Sequence, residues 1–265
     1  LAKSIQTLSS YAIDFVLGEH PISLLDGVDI IFVSGGVPLD IPLLQEACAK
    51  GIPISNDSQL ALEQLPCKVV GITGSSGKTT TTLLVGKIIA ASQNYRNVWV
   101  GGNVGNPLLL DICQMTDEDI AIMEMSSFQL AIMTSSPNIA GVLNVSPNHL
   151  DRHINMHEYV TAKQKILDSQ QSDDVAVLGW DDEITRAMSD RVRGHCWGFS
   201  MDSNANFDDG CFIENETIML RHNGVTNSIM ACQDVRLLGA HNLMNVMAAS
   251  TLAAASGVEI DAIQA

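Results

Sequence analysis

A short segment rich in glycine and serine, Gly74 to Thr79, has the residue types that bind a phosphate group. Gly74 and Gly77 allow the backbone to bend around an anion, and the first turn of a following helix offers unpaired N–H groups and a positive dipole end. Lys78 supplies a mobile positive charge for the outer phosphates, and Thr79 places a hydroxyl where a phosphate-bound magnesium ion would lie. The usual pattern has a further glycine at the position of Ile72. The segment therefore predicts a variant phosphate loop, with a plain Gly/Ser turn as the alternative.

Two polar side chains follow other predicted strands. Glu124 ends an apolar run that begins at Ile120, and a carboxylate in that place is expected to support a magnesium ion beside a phosphate loop. Asn103 lies in the Gly-rich turn GGNVGNP and can donate and accept hydrogen bonds beside a phosphate or a metal. The alternatives are a simple charge at the start of the next short helix for Glu124 and a plain loop for Asn103.

Three histidines are spaced four residues apart, at His149, His153 and His157, which on one helix would form a metal-binding face. Pro147 and an N-cap at Asn155 argue against one continuous helix. We therefore select His149, on the loop that leaves the preceding strand, as the functional histidine. The other two are expected on the surface.

A helix predicted over 156–167 carries two lysines, Lys163 and Lys165. Either could lie on a solvated face, which is the usual place for lysine. The residue pattern alone does not select Lys163 over Lys165.

The elements that position these residues alternate between strands and helices. The predicted strands are 68–72, 97–100, 120–124, 139–145 and 175–178, and the predicted helices are 79–91, 127–131, 156–167 and 241–255. This alternation predicts an α/β fold with a mostly parallel sheet covered on both faces, of the P-loop type because the phosphate loop follows its strand. Residues 210–230 alternate around Asn223-Gly224 and predict a small antiparallel hairpin.

Residues 1–66 have the pattern of part of an N-terminal Rossmann-like domain. An apolar strand at 29–33, a helix from Pro42 and an extended piece at 52–54 form a βαβ unit. Because parallel sheets bind ligands at the carboxyl ends of their strands, the turn Ser34-Gly35-Gly36 is a candidate contact, with a plain strand-ending turn as the alternative. We place the domain boundary at Leu65-Pro66, where a new βα series starts.

Composition limits the classes of function. The chain has 265 residues, 46% of them apolar, and a formal charge of −16, which argues against nucleic acid and anionic membranes. In so acidic a chain, the localised positive charge at Lys78 is the expected site for an anionic ligand, and we expect that ligand to be a small molecule. The six cysteines show no CxxC spacing, and no signal segment or membrane-spanning run is present, so we expect a cytoplasmic protein. Because the chain opens on Leu1 and closes without a stop-like tail, we expect a fragment of a longer protein.

Taken together, the motifs resemble those of the Mur ligases. The order and approximate spacing match over nearly the whole chain, in the segments VSGGVPLD, GSSGKTT, GGNVGNP, EMSSFQL, NVSPNHLDRH, EYVTAKQKI and LGAHNLMN. EMSSFQL with NVSPNHLDRH is the most specific pairing. Within the family, the resemblance is to the members that add D-glutamate to UDP-N-acetylmuramoyl-L-alanine in peptidoglycan synthesis.

The resemblance implies an ATP-dependent amide ligation through an acyl phosphate. It also implies a domain organisation: 1–66 as part of the UDP-substrate-binding domain, 67–265 as the central ATP-binding domain, and an absent carboxyl-terminal domain. A monomer is expected, as is a fragment that is inactive alone. The alternatives are another Mur-like ligase, of the folylpolyglutamate or L-alanine-adding type, and a nucleotide-binding fragment without catalysis.

The resemblance further implies roles for individual residues. The catalytic residues would be Lys78, Glu124, His149 and Lys163. ATP would contact Gly74, Ser75, Ser76, Gly77, Lys78, Thr79, Thr80 and, at the adenine, Asn242. The substrate would contact Ser34, Gly35, Gly36, Asn103, Ser126, Gln129 and His149. Thr79 and Glu124 would hold one Mg²⁺, and His149 would hold a second with Lys163, which in this family is carbamylated and so becomes an oxygen ligand.

Two departures from the family pattern stand out. The phosphate loop has Ser75 where the family usually has threonine, a mild change that leaves the backbone intact. The amino-terminal motif is Ser34-Gly35-Gly36 where Ser-Pro-Gly is usual, which loosens a loop expected to touch the nucleotide sugar.

Overall fold

Strands and helices alternate through most of the chain, as its apolar runs bounded by glycine, proline and asparagine predict. The computed structural model describes residues 2–103, 105–147 and 155–264. The chain divides into two units, Leu1–Ser55 and Asn56–Ala265.

The first unit contains a small parallel βαβ arrangement. Its elements are α1 (Ala2–Leu8), a 3₁₀ turn (Ile22–Leu25), β1 (Ile31–Phe32), α2 (Pro42–Ala49) and β2 (Ile54–Ser55). Ile31 of β1 pairs with Ile54 of β2. Helix α2 begins with Pro42 at its first turn, where the missing N–H costs nothing, and buries Leu43 and Ala47. The βαβ pattern predicted for this region is present, with a shorter first strand than expected.

The second unit contains the remaining described elements. Its helices are α3 (Asp57–Gln64), α4 (Lys78–Ser92), α5 (Ser127–Leu130), α6 (Met156–Asp168), α7 (Glu183–Ala187), α8 (Ala240–Ala255) and α9 (Ile260–Gln264). Its strands are β3 (Lys68–Thr73), β4 (Val98–Gly102), β5 (Ile120–Glu124), β6 (Ile139–Val142), β7 (Val175–Gly179), β8 (His195–Ser200), β9 (Asp209–Glu214), β10 (Thr217–His222) and β11 (Val225–Ala231). Short 3₁₀ turns lie at Leu108–Leu110, Ile112–Gln114, Met188–Arg191 and Cys232–Asp234.

All of these strands belong to one nine-stranded sheet, in the order β11-β10-β9-β8-β7-β6-β3-β5-β4. Pairing is parallel from β4 to β9 and antiparallel between β9, β10 and β11. Strand β3, which precedes the phosphate loop, lies between β5 and β6. The carboxyl ends of the strands bearing the candidate residues therefore meet at one edge of the sheet.

Alternation along the central strands divides the core between the two faces of the sheet. On β3, Val70 and Ile72 pack against α4 and α8, whereas Val69 faces the side of α3, α5 and α6. On β5, Ile120 and Ile122 join the first cluster, and Ala121 and Met123 join the second. Near-continuous apolar strands of this kind are typical of a parallel sheet covered on both faces, and the predicted α/β fold class is confirmed.

Two features of the sheet differ from the sequence-based expectation. Strand β8 was not predicted, because His195–Ser200 has a glycine and polar ends rather than an apolar run, yet it pairs with both β7 and β9. The strand predicted over 139–145 ends at Val142 because Asn144 turns toward the phosphate loop. The predicted hairpin is present, and it extends the main sheet.

The second unit begins at Asn56, before the boundary predicted at Leu65-Pro66. Asn56 caps α3 by accepting a hydrogen bond from the Gln59 backbone N–H at 2.8 Å, and its Nδ2 donates to the Gln129 carbonyl at 2.8 Å. Ala61 of α3 is buried in the core on the α5 and α6 side of the sheet. These contacts tie α3 to the second unit, while the functional assignment of the domains stays a prediction.

No helix in the described residues is both long and apolar enough to cross a bilayer.

The turn before β5 is organised by a buried carboxylate. Asp119 is fully buried and accepts hydrogen bonds from Arg96 Nε at 2.9 Å, Trp99 Nε1 at 3.1 Å and the Thr116 backbone N–H at 3.0 Å. The hydrogen bonds from Arg96 hold the pKa of Asp119 well below its ordinary value, against the opposing effect of burial. Asp119 thereby joins the start of β5 to β4, the edge strand that leads to Asn103.

We predict that Asp119→Asn lowers the free energy of unfolding by about 1–3 kcal/mol, because an amide turns an N–H₂ group toward donors. The folded-state pKa is depressed, so the carboxylate's contribution is complete above its ordinary pKa of 3.8 and is lost as pH falls below it. Urea denaturation at neutral and acid pH should show the gap between wild type and variant narrowing in acid. The exposed Asp117→Asn is the control and should change stability by less than about 0.5 kcal/mol; equal effects of the two variants would contradict the prediction.

Candidate functional site

The predicted phosphate loop lies between β3 and the first turn of α4, which begins at Lys78. Gly77 adopts a φ of +80°, the left-handed region that favours glycine. A Cβ at this position would also overlap the side-chain amide oxygen of Asn245. The backbone N–H groups at the start of α4 therefore face an open concave loop, the arrangement that binds anions.

The outer side of the loop is hydrogen-bonded to the segment that follows β6. Asn144 accepts from the Ser76 backbone N–H at 3.0 Å through its Oδ1, and its own carbonyl accepts from the Ser75 N–H at 2.9 Å. Ser75 Oγ lies 3.0 Å from both the backbone N–H and the carbonyl oxygen of Ser146. Asp182 in turn accepts from the Val145 N–H at 2.9 Å. The loop is thus held by neighbouring strands rather than by its own residues alone.

Lys78 folds back over the loop that precedes it. Its Nζ donates to the Gly74 carbonyl at 2.9 Å. Burial lowers the pKa of Lys78, and the negative charge of Glu124 acts in the opposite direction. The ammonium group is therefore held where a bound anion would replace a carbonyl as its partner.

Glu124, at the carboxyl end of β5, is 2% exposed and has two hydrogen-bond donors. Thr79 Oγ1 donates to its Oε2 at 2.7 Å, and Asn103 Nδ2 donates to its Oε1 at 2.9 Å. Gly102, at a φ of +97°, allows the chain to pass closely over the Glu124 backbone. The predicted metal-supporting acid, the loop threonine and Asn103 are thus brought together in one cluster.

The structure distinguishes the two lysines of α6. Lys163 is 1% exposed, and its Nζ donates to the Gly74 carbonyl at 2.9 Å and lies 3.4 Å from Thr73 Oγ1. Lys165 instead donates to the Ala131 carbonyl at 2.6 Å, away from the loop. Burial, together with repulsion by Lys78, lowers the pKa of Lys163 to about 7. Near neutral pH Lys163 is therefore an amine with a large unprotonated fraction beside the phosphate loop.

A cleft of about 610 Å³ opens beside the loop and the start of α8. Its lining includes Ser76, Gly77, Thr80, Phe199, Asn242 and Asn245. Asn242 accepts from Asn245 Nδ2 at 3.0 Å and donates to the Leu238 carbonyl at 2.8 Å. Thr80 and Asn242, predicted from the sequence, therefore lie on one cleft that continues from the phosphate loop.

Apart from Asn103, which bonds to Glu124, the predicted substrate contacts fall into three groups. Ser126 and Gln129 form a capping box at the start of α5, in which the Gln129 N–H donates to Ser126 Oγ at 3.3 Å and the Ser126 N–H donates to Gln129 Oε1 at 2.9 Å. Ser34-Gly35-Gly36 forms an exposed turn after β1 in the first unit. His149 lies outside the described residues, as does His153, whereas His157 is exposed in the first turn of α6 as expected.

Several residues of the site were not found by sequence reasoning. Tyr159, Asn144 and Asn245 all touch the loop or residues next to it. Tyr159 stands four residues before Lys163, a spacing that places both on one face of α6, and that spacing was a usable signal. The two asparagines gave none, because their role depends on the strand order.

The donor set at this edge suits a hard cation that also contacts a phosphate. No group of three or more His, Cys, Asp or Glu side chains that could hold a metal occurs among residues 2–103, 105–147 and 155–264. Thr79 and Glu124 instead supply a hydroxyl and a carboxylate, oxygen donors of the kind that Mg²⁺ takes in small number while keeping water and phosphate ligands. These residues fit a phosphate-bound magnesium ion.

A loop at the carboxyl end of a central parallel strand, with a lysine, a threonine and a carboxylate around it, defines an α/β domain of the P-loop type. Residues 72–253 match the family described as the Mur ligase middle domain, and the chain belongs to the Mur ligase family. The family expected from the sequence motifs is confirmed.

Individual relatives give further detail. A protein named UDP-N-acetylmuramoylalanine–D-glutamate ligase from Symbiobacterium thermophilum is 36% identical over 264 residues, which are 100% of this chain and 58% of that protein. A protein of the same name from Clostridium botulinum is 38% identical over 242 residues, covering 91% of this chain and 51% of that protein. The chain thus spans little more than half the length of these relatives.

Solved structures of Mur ligases share the fold. UDP-N-acetylmuramate:L-alanyl-γ-D-glutamyl-meso-diaminopimelate ligase from Neisseria meningitides matches with a TM-score of 0.61 at 17% identity, over 98% of this chain and 86% of that one. MurF from Acinetobacter baumannii matches with a TM-score of 0.57 at 22% identity, over 77% of this chain and 45% of that one.

The buried amine of Lys163 makes stability depend on pH in a defined direction. Below pH about 7, the Lys163 amine is protonated in both the folded and the unfolded protein, and the folded protein bears the whole cost of burying the charge. Between pH about 7 and the ordinary pKa of 10.5, the amine is protonated only in the unfolded protein. The free energy of unfolding should therefore rise through this range, and Lys163→Met should remove that part of the rise. Urea denaturation in buffer free of magnesium and carbon dioxide measures the free energy of unfolding at each pH.

Lys165→Met is the matched control for this measurement, because Lys165 lies two positions further along the same helix and away from the loop. Its pH slope should equal that of wild type. A Lys163→Met slope equal to that of wild type would mean that the buried amine does not titrate as described.

Proposed function

We propose that this chain is the ATP-binding part, with a portion of the substrate domain, of an ATP-dependent ligase that adds D-glutamate to UDP-N-acetylmuramoyl-L-alanine. The observation that carries the proposal is the convergence of Lys78, the Thr79–Glu124 pair and the buried Lys163 on one phosphate loop. The names of the Symbiobacterium and Clostridium relatives support the choice of substrates.

ATP is proposed to lie along the loop and the adjoining cleft. The phosphates would contact the backbone from Gly74 to Thr80, and the adenine would contact Asn242 in the cleft of about 610 Å³. A pocket of this size is within the range for a nucleotide-sized ligand. Lys78 would exchange its hydrogen bond to the Gly74 carbonyl for one to the transferring phosphoryl group.

Thr79 and Glu124 would hold one Mg²⁺, and Lys163 with His149 a second. When bound, these ions would neutralise the negative charge that accumulates as two anions approach. For Lys163 this role requires a carbamate. The unprotonated amine would form an N–C bond to carbon dioxide and lose a proton, giving an anionic oxygen ligand, and the lowered pKa of Lys163 favours the unprotonated form that this step needs.

The proposed reaction has two steps. A carboxylate oxygen of the nucleotide sugar attacks the γ-phosphorus of ATP, and ADP leaves, which gives an acyl phosphate. The amine of D-glutamate then attacks the acyl carbon and phosphate leaves, forming the amide. Lys78 stabilises the transferring group, whereas Glu124 is held in place for the metal by Asn103.

The substrate's acyl end is proposed to meet Asn103, Ser126, Gln129 and His149, and its nucleotide portion the turn Ser34-Gly35-Gly36. Because Ser126 and Gln129 bond to each other in the capping box, substrate contact at this point would involve α5 as a preformed unit. The protein is further proposed to act in the cytoplasm as a monomer.

The deciding experiment measures phosphate release by the full-length gene product with ATP, Mg²⁺ and UDP-N-acetylmuramoyl-L-alanine. We expect release that depends on D-glutamate, with L-glutamate, L-alanine and D-alanine near background. Product formation with another amino acid and none with D-glutamate would refute the proposed specificity. Absence of ATP turnover with every nucleotide-sugar precursor would refute the ligase assignment.

Two neighbouring lysines give a matched test of the carbamate. Lys163→Arg should lower kcat by about 10²- to 10³-fold, the range for loss of one group that stabilises transition-state charge, because a guanidinium cannot form a carbamate. Lys165→Arg, on the same helix but bonded to the Ala131 carbonyl, should change kcat little. Steady-state kinetics at saturating ATP would show the difference, and equal effects would assign Lys163 a packing role.

A further inference from the structure

Tyr159 contacts the phosphate loop and Lys163 at the same time. It lies in α6 one turn before Lys163 and is 1% exposed. Its hydroxyl oxygen is 3.0 Å from Ser75 Oγ. The Lys163 Nζ lies 4.6 Å from the centroid of the Tyr159 ring. One side chain thus touches the loop through its polar end and the buried amine through its ring face.

Ser75 is the loop residue through which this contact acts. Its Oγ also bonds to the backbone of Ser146, and its N–H donates to the Asn144 carbonyl at 2.9 Å. The side chain is 8% exposed, so these bonds are shielded from water. Fixing Ser75 on one side fixes the backbone of Ser76 and Gly77 that follows. The hydrogen bond between the Tyr159 hydroxyl and Ser75 therefore helps to fix the orientation of the backbone N–H groups of the loop.

The phenol suits a fixed hydrogen bond. Burial raises the pKa of Tyr159, so the hydroxyl stays neutral near pH 7 and can donate or accept. A phenylalanine would keep the ring beneath Lys163 and remove only the hydroxyl. The two contacts of Tyr159 can therefore be separated by a conservative substitution.

We propose that Tyr159 is a positioning residue that holds the phosphate loop in its anion-binding shape through Ser75 while its ring supports Lys163. This inference rests on the proposed nucleotide site. The Tyr159 hydroxyl affects the binding of the phosphates at the loop, whereas binding of the base in the cleft does not depend on this hydroxyl. The loop N–H groups gain no new partner from Tyr159; they lose freedom of direction, which lowers the cost of ordering the loop around a phosphate.

The test titrates the full-length gene product with ATP, ADP and adenosine in Mg²⁺ buffer by calorimetry, with adenosine measured by displacement of ATP. Tyr159→Phe should weaken ATP and ADP binding by about fivefold, the equivalent of one ordinary hydrogen bond, and leave adenosine unchanged. Ser75→Ala should weaken ATP and ADP binding at least as much, because it also removes the bonds of Ser75 Oγ to the Ser146 backbone, and should leave adenosine unchanged. In the double variant the loss should be well below the product of the two, because both remove one shared contact.

Tyr95→Phe is the matched control. The Tyr95 hydroxyl donates to the Ser256 carbonyl at 2.6 Å, a partly buried bond in the same unit at residues that take no part in the loop. Its loss should lower the free energy of unfolding and leave ATP affinity unchanged. Urea denaturation of each variant separates stability from binding, and Ser75→Ala tests the same bond from the loop side if Tyr159→Phe folds poorly.

The results distinguish the proposed nucleotide site from the positioning role of Tyr159. Failure of the wild-type chain to bind ATP would refute the nucleotide site itself. Normal ATP affinity in Tyr159→Phe, with wild type binding ATP, would refute only the positioning role. A parallel loss of adenosine affinity, or a double variant whose loss equals the product of the single losses, would also overturn it, because the effect would then not pass through the Ser75 contact.

Discussion

The Gly74 carbonyl oxygen is the shared acceptor around which the two lysines of this site are arranged. Lys78 from α4 and Lys163 from α6 each place an ammonium nitrogen 2.9 Å from the Gly74 carbonyl. Burial, together with the repulsion between these two amines, lowers the pKa of Lys163, which reduces the positive charge at this neutral acceptor. The nearest anionic group that acts on Lys78 is Glu124, which is itself held by Thr79 and Asn103. The positive charge that remains on Lys78 is what the phosphates of the proposed nucleotide would neutralise.

The order of strands makes this arrangement possible. Strand β3 lies between β5 and β6, so the phosphate loop is flanked by Glu124 on one side and by Asn144 on the other. Helices α4 and α6 lie on opposite faces of the sheet, which lets their lysines approach the same loop from two directions. Asp182, the N-cap of α7 in the turn that follows β7, accepts a hydrogen bond from the segment containing Asn144. Each flanking strand thus contributes one polar group, a consequence of parallel strands sharing one carboxyl edge.

Local pattern was sufficient for part of this picture and insufficient for the rest. The phosphate loop, Glu124 and Asn103 could be predicted because each follows an apolar strand, and the parallel sheet brings such ends together. Lys163 and Lys165 have similar neighbours in sequence, and only their burial and their different hydrogen-bond partners in the fold separate them. The apolar residues of strand β8 are interrupted by Gly198, and its strand conformation is fixed by pairing with two neighbours. Ser126 and Gln129 were predicted as substrate contacts, and the capping box in which they bond to each other was not identified from the sequence. Strand order and burial are non-local properties, which is why they escape a reading of adjacent residues.

The contacts around the phosphate loop join distant parts of the chain. Lys163 and Gly74 are 89 positions apart, and Thr81 and Asn245 are 164 apart. Contacts of such high sequence separation close long loops, and the entropy of that closure opposes them. Strands β3, β4 and β5 paired without the rest of the chain would lack Asn144, Lys163 and Asn245 around the phosphate loop. The geometry of the site therefore depends on the segment after β6 and on α6 and α8, and not on the loop sequence alone.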